Sequence, residues 1–304
     1  MTSYILRCKG LDSLIQLSNL TKKYGNKTAI QNLQLKIEKE TVFGYLGPNG
    51  AGKTTTIRCL MGFIKPTSGE AEISGHNCWE DAQQIHSLVG YLPGEIHFIE
   101  HMTAEQYLKL MADLNQITNT SAITDMADRL QLPLNILIDK MSKGMKQKVG
   151  LIQSFLHNPE ILILDEPTSG LDPLMQQVFI EMILEEKEKG KTILISSHLF
   201  NEVERTCDVV SIIREGEIVA VENVSNLKRI KQNKATVVFK SDEDSQKLAT
   251  NDFELKKLSQ NRYEVTYQGD VNNLIRALAS TEIEDLELHH AELEDVFMHY
   301  YNNR

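Results

Sequence analysis

At 304 residues, 41% hydrophobic and 24% charged, the chain is long enough for one large globular domain and a smaller one. A net charge of −10 argues against a broadly basic groove, so nucleic acid is not expected among its partners. No apolar stretch reaches the ~18 residues of a membrane span, and Met1 to Lys9 lack the apolar core of a signal peptide. Cys8, Cys59, Cys78 and Cys207 stand far apart with no CxxC pair, which suits a reducing compartment.

Short apolar runs at 42–46, 161–164, 192–195 and 209–213 read as strands and alternate with helical patterns. That alternation predicts an α/β domain with a largely parallel sheet covered on both faces. A helix over 54–61 follows the first run. The stretch between the first two runs reads as a helical subdomain at about 91–150. There Thr103 and Gln106 form a capping box ahead of Tyr107, Leu108, Met111 and Leu114. A second helical pattern through Ile123, Met126 and Leu130 stops before Pro133. The basic, polar run 228–234 reads as a linker. Beyond it the order is strand (236–240), helix (244–249), strand, strand (263–267), helix (271–279), strand (283–288) and a last helix (293–300). This resembles a split βαβ unit, so a small α+β domain is expected over 235–304.

The strongest motif is Gly47-Pro48-Asn49-Gly50-Ala51-Gly52-Lys53-Thr54, a GxxxxGK[ST] phosphate loop entered by a strand and left by a helix. Glycines let such a loop curl until successive N–H groups point at phosphate oxygens, and the helix adds its positive end. Lys53 then neutralises the β- and γ-phosphates, Thr54 ligates Mg2+, and Thr55 continues the nucleotide-binding run. The strand 161–164 ends in Asp165-Glu166. Two acids at a strand end often do no more than meet solvent. Beside a phosphate loop, Asp165 reads as the Mg2+ ligand, directly or through water, and Glu166 as the group that orients and deprotonates the attacking water.

Around these two motifs the chain resembles the ABC ATPases, over about 14–224, within an expected domain of 14–227. Met141-Ser142-Lys143-Gly144-Met145 stands where that family carries its signature, opening a helix through Val149, Ile152 and Phe155. The resemblance implies that Ser142, Lys143, Gly144 and Met145 meet the γ-phosphate bound to a second subunit; alone, Ser142 is an N-cap. Ser169-Gly170-Leu171-Asp172 is similar to the family's D-loop at the dimer seam, with Asp172 its acid. His198 looks like the switch histidine that reaches the γ-phosphate, and Tyr24 like the aromatic that stacks on adenine. Each of these two has a plain structural reading when taken alone.

What the resemblance implies is a P-loop NTPase fold of ABC type, binding ATP and Mg2+, in a head-to-tail dimer of identical or different ATPase subunits. The helical subdomain would press on a membrane permease. The extension and its Leu293-Glu294-Asp295-Val296-Phe297 ending resemble ATPases paired with ABC-2 type exporter permeases. The expected place is cytoplasmic, on the inner face of the cell membrane.

The chain departs from the family's pattern in two places. Lys143 and Met145 replace a glycine and the glutamine of LSGGQ, similar to a variant in the exporter branch. The Q-loop glutamine expected after Tyr91-Leu92-Pro93 is replaced by Gly94-Glu95. Glu95, a hard carboxylate one residue out of register, is the expected stand-in. His97-Phe98-Ile99-Glu100-His101 also fits HxxEH, whose zinc chemistry needs both histidines on one helix face. Lying between Pro93-Gly94 and the Thr103 cap, it reads instead as a solvent-facing loop. Two rival functions remain: an ABC ATPase that moves no solute, and a nucleotide switch without turnover. No long coiled-coil insert lies between Thr55 and Met141 and there is one cassette, which weighs against the first. Gly94-Glu95 keeps the second alive.

Overall fold

A computed structural model describes residues 13–230, 233–248, 253–267 and 270–289, and the chain divides into two units, Met1–Glu222 and Asn223–Arg304. The first unit opens with two long strands, β1 (Ser13–Tyr24) and β2 (Lys27–Glu38), paired antiparallel. On β2, Leu33, Leu35 and Ile37 are buried while Gln34 and Lys36 between them are exposed, the period of a sheet with one wet face. Next come β3 (Val42–Leu46), α1 (Lys53–Leu60), β4 (Ser68–Ile73), β5 (His76–Asn77), α2 (Ala82–Leu88) and β6 (Val89–Leu92). The helical stretch holds α3 (Ala104–Leu114), α4 (Ser121–Arg129) and α5 (Lys143–Phe155). The unit continues with β7 (Ile161–Asp165), α6 (Pro173–Glu188), β8 (Thr192–Ser197), α7 (Phe200–Thr206), β9 (Val209–Arg214) and β10 (Glu217–Asn223).

Two sheets result, in orders β2-β1-β4-β5 and β10-β9-β3-β8-β7-β6. Every residue of β3, β7 and β8 is buried, which is why these strands read as unbroken apolar runs. Neighbours β9-β3-β8-β7-β6 are parallel, as the alternating pattern predicts. The antiparallel sheet goes unannounced by apolar runs, because its strands are amphipathic. It shares one core with the other: Leu20, Ile30 and Leu33 cluster with Phe43, Tyr45, Ile57 and Leu60, so the hairpin underpins α1. The Thr103–Gln106 capping box is present, with Gln106 N donating to Thr103 Oγ1 at 3.2 Å and Thr103 N to Gln106 Oε1 at 2.9 Å. Helix α5 lies hard against β6. A Cβ at Gly90 would come within 2.0 Å of Ser154 O, so only glycine allows this approach.

The second unit runs α8 (Val224–Ile230), β11 (Asn233–Phe239), α9 (Asp242–Leu248), β12 (Glu254–Ser259), β13 (Arg262–Tyr267), α10 (Val271–Leu278) and β14 (Ile283–His289). Its antiparallel sheet has the order β12-β13-β11-β14, so β13 splits the β11–α9–β12 unit. Val237, Phe239, Val265, Leu274 and Leu278 form its core. Within the 228–234 run, expected as a linker, α8 reaches Ile230 and β11 starts at Asn233. Buried Val224 and Leu227, three apart, give α8 the apolar face that the basic composition hid. The helix expected at 293–300 lies outside the described residues.

Candidate nucleotide site

The parallel register brings the motifs to one edge. Leu46 on β3 is level with Ser197 on β8, Ser196 with Asp165 on β7, and Leu164 with Leu92 on β6. The loops leaving these carboxyl ends are therefore neighbours, where open α/β sheets bind ligands. They carry Gly47, His198, Glu166 and Pro93.

Gly47 is buried beneath the loop, its N–H donating to Ser197 O at 3.3 Å, while Pro48, Asn49 and Gly50 form an exposed crest. Gly50 (φ +81°) and Gly52 (φ +112°) take backbone angles that side-chain-bearing residues avoid, and Gly52 caps α1. Ala51 is buried at 3% and turns the chain into the helix, whose first-turn amides at Lys53, Thr54 and Thr55 have no acceptor within it. These amides and the helix end favour an anion. Lys53, only 6% exposed, donates from Nζ to Gly47 O at 2.6 Å and Pro48 O at 3.2 Å. The same ammonium lies 3.1 Å from Glu166 Oε1, an ion pair without hydrogen-bond alignment. On the other side, His198 Nδ1 is 2.5 Å from Glu166 Oε2. One carboxylate is thus held between the loop lysine and the histidine after β8.

Glu166 is held by its backbone as well. At φ +51° it occupies the left-handed region, and its N–H donates to both Ser196 O and Ser196 Oγ at 3.1 Å. Ser196 Oγ in turn donates to Asp165 Oδ1. Asp165 is fully buried, and its Oδ2 has no hydrogen-bond partner among the described residues. A buried carboxylate oxygen so placed fits a divalent cation, which a carboxylate and a hydroxyl such as that of Thr54 can hold. A Cβ at Gly94 would sit 3.1 Å from that Oδ2, whereas Glu95 is exposed. The backbone register thus gives the position facing Asp165 to Gly94 and not to the expected stand-in, Glu95. His97 and His101 are exposed on the non-helical 93–102 segment, with His101 Nδ1 3.3 Å from Asp139 Oδ2.

Ser142 caps α5, accepting from Met145 N at 3.3 Å, and Lys143 Nζ donates to Ser169 Oγ at 2.8 Å. Gly144 lies close to Gly170 O, and Asp172 caps α6 by accepting from Met175 N at 3.0 Å. Tyr24 stands outside this cluster, half-exposed at the end of β1 with Lys22 Nζ 5.2 Å from its ring centroid. The motifs did not announce Ser196, Gln147 or Glu202. Ser196 stands beside the histidine that drew notice, and Gln147 is a polar residue on the apolar face of α5.

Glu202, on α7, is 5% exposed and accepts a hydrogen bond from Ser197 Oγ at 2.5 Å. Burial pushes its carboxyl up to about 7; the Ser197 hydroxyl opposes this, the Glu166 charge adds to it, and Thr168 opposes it. The folded pKa lies above the unfolded one, so folding takes up a proton. This contribution to stability is full below about pH 4.5 and is lost as pH rises through about 7. Glu202→Gln keeps an acceptor for Ser197 and carries no charge. It is expected to exceed the parent in stability at pH 8, by the order of 3 kcal/mol, with the gap closing towards pH 4.5. Urea unfolding at several pH values reads this directly; a gap independent of pH contradicts it.

A family profile described as ABC transporter matches residues 30–169. The chain is 34% identical over 303 residues to the bacitracin transport ATP-binding protein BcrA of Bacillus licheniformis, covering 95% of this chain and 97% of that one. It is 32% identical over 219 residues to the linearmycin resistance ATP-binding protein LnrL of Bacillus subtilis (strain 168), 70% of each chain. The solved structure of an ATP-binding subunit of an ABC transporter superposes with a TM-score of 0.66 at 29% identity, covering 71% of this chain and 92% of that one. The dimeric cassette MJ0796 in a post-hydrolysis state with ADP and Pi shares the fold, at a TM-score of 0.63 and 22% identity over 69% of this chain and 98% of that one. On the phosphate loop, the paired acids and a relative matched along almost its whole length, the chain belongs to the ABC transporter ATP-binding proteins, the ATP-hydrolysing subunits that power membrane permeases.

Proposed function

We propose that this subunit drives export through an ABC-2 type permease, hydrolysing MgATP in a head-to-tail dimer on the inner face of the membrane. The observation that carries the catalytic part is the Lys53–Glu166–His198 arrangement beside the unpartnered Asp165 Oδ2. Loop amides, Lys53 and Thr55 bind the phosphates, and Tyr24 stacks on adenine. Glu166 orients the water and takes its proton, and His198 fixes both Glu166 and the γ-phosphate. Asp165 and Thr54 would hold Mg2+, which supplies charge neutralisation on the phosphates. Ser142, Lys143, Gly144 and Met145 of one subunit, with Asp172 at the seam, close on the nucleotide of the other. Outward transport is supported by the C-terminal α+β unit and by a relative named for linearmycin resistance.

Among the described residues no helix is long and apolar enough to cross a membrane; in this proposal the spans belong to the permease. The test is recovery from native membranes with Glu166→Gln and MgATP, followed by mass spectrometry and reconstitution. A polytopic permease that changes the parental ATPase rate on reconstitution is the expected result. Recovery of ribosomes, nucleic acid or soluble proteins alone contradicts the proposal.

A further inference from the structure

The turn that carries Glu166 is gripped by the signature helix of its own chain. Gln147, 3% exposed on α5, donates from Nε2 to Glu166 O at 3.2 Å and to Pro167 O at 2.9 Å. Nearer the start of α5, Lys143 Nζ reaches Ser169 Oγ at 2.8 Å, and a Cβ on Gly144 would lie 2.4 Å from Gly170 O. Ser169 N closes the turn on Glu166 O at 3.1 Å. The first turns of α5 and the 166–170 turn therefore touch at successive levels, with the Gln147 amide nearest the catalytic residue. Glu166 also holds a left-handed backbone, φ +51°, which persists only where its surroundings fix it. A polar side chain buried with both its acceptors on that turn is such a fixture.

We infer that Gln147 is a positioning residue that ties the catalytic geometry of one ATP site to the clasp on the other. The inference rests on the head-to-tail dimer proposed above, in which the Ser142 end of α5 serves the partner's nucleotide and Glu166 serves its own. The helix is a continuous element from Lys143 to Phe155, so a shift at its Ser142 end is felt at Gln147. The Glu166 and Pro167 carbonyls follow, and with them the carboxylate between Lys53 and His198. Closure at one nucleotide thereby sets the water-activating group at the other, through one amide.

The test is a double-mutant cycle on kcat of the full chain, Gln147→Met against Ser142→Ala, with KM for ATP and melting temperature measured alongside. Methionine keeps the length and unbranched shape and removes the donor. Gln147→Met is expected to lower kcat about tenfold while KM stays near the parental value, with a fall of only a few degrees in melting temperature from the Pro167 carbonyl left without a donor. Ser142→Ala, costly alone, is expected to cost little more in the Gln147→Met background. Additive losses overturn the inference, as does an unchanged kcat for Gln147→Met. A parallel fall in melting temperature, nucleotide affinity and kcat would make Gln147 a purely structural residue and overturn it too. Should Gln147→Met fail to fold, Gln147→Leu, which loses the donors without placing a charge against the two carbonyls, carries the same cycle. The dimer is checked separately by size exclusion of Glu166→Gln with MgATP. No dimer there removes both readings, whereas a dimer with additive kinetic losses removes this inference alone.

Discussion

Glu166→Gln is expected to bind ATP with close to the parental affinity and to hydrolyse it about a thousandfold more slowly. Glutamine has the same shape and keeps an oxygen for the Lys53 ammonium, 3.1 Å away in the parent. The backbone hydrogen bonds to Ser196 and from Gln147 do not involve the side chain, so the turn at φ +51° is retained. What is lost is the capacity to take a proton, and with it, in the proposed mechanism, the means of making water a nucleophile. Binding should survive because the proposed phosphate contacts come from the loop amides and Lys53. With turnover blocked and affinity kept, the ATP-closed dimer should accumulate. Single-turnover phosphate release and a nucleotide titration on the same preparation separate the two effects. Parental turnover would remove Glu166 from its role and leave His198 as the remaining group on that side of the site.

The arrangement explains why so few residues suffice. Strand register alone delivers Gly47, Asp165 and the Ser196–His198 segment to one edge, and each is then fixed by its neighbour. Ser196 binds both acids, through Asp165 Oδ1 and the Glu166 amide. The carbonyl of Ser197 receives the Gly47 amide while its hydroxyl holds Glu202 and receives the Leu199 amide. The two serines before His198 therefore join the phosphate loop, the acidic strand and α7. A buried network of this kind is costly if half-satisfied, which makes the unpartnered Asp165 Oδ2 informative.

Much of this was legible in the sequence, because the chemistry is concentrated in contiguous motifs. Gly47 to Thr54 announces both a conformation and a charge, and the runs before Gly47 and Asp165 are apolar because their strands are covered on both faces. The hairpin at 13–38 was not legible in this way; its buried residues alternate with polar ones and produce no apolar run. Gly94 shows a different limit. Sequence spacing marked a missing glutamine and suggested the nearest acid, but only the backbone register puts a Gly94 Cβ at Asp165 and leaves Glu95 exposed. Gln147 and Glu202 escape for a third reason. Their importance lies in carbonyls and hydroxyls 19 to 20 and 5 residues away, and such partners have no local signature.

Lys53→Ala is expected to weaken ATP binding by about two orders of magnitude, with a much smaller effect on folding. A charge-assisted hydrogen bond to a phosphate contributes about 1.5–3 kcal/mol, and about 3 kcal/mol corresponds to roughly a hundredfold in affinity. The cost to the fold is smaller because Pro48 O, one of the two carbonyls that Lys53 engages, belongs to the exposed crest at Pro48–Gly50 and can turn to water. Glu166 is 20% exposed and keeps His198 as a partner, so its carboxylate is not stranded. Binding has no such substitute, since no water carries the positive charge that the β- and γ-phosphates require. Titration with a fluorescent ATP analogue, paired with a melting curve, distinguishes lost affinity from lost structure. Unaltered affinity would mean that the loop amides and the α1 terminus hold the phosphates unaided, and that Lys53 serves Glu166 rather than the nucleotide.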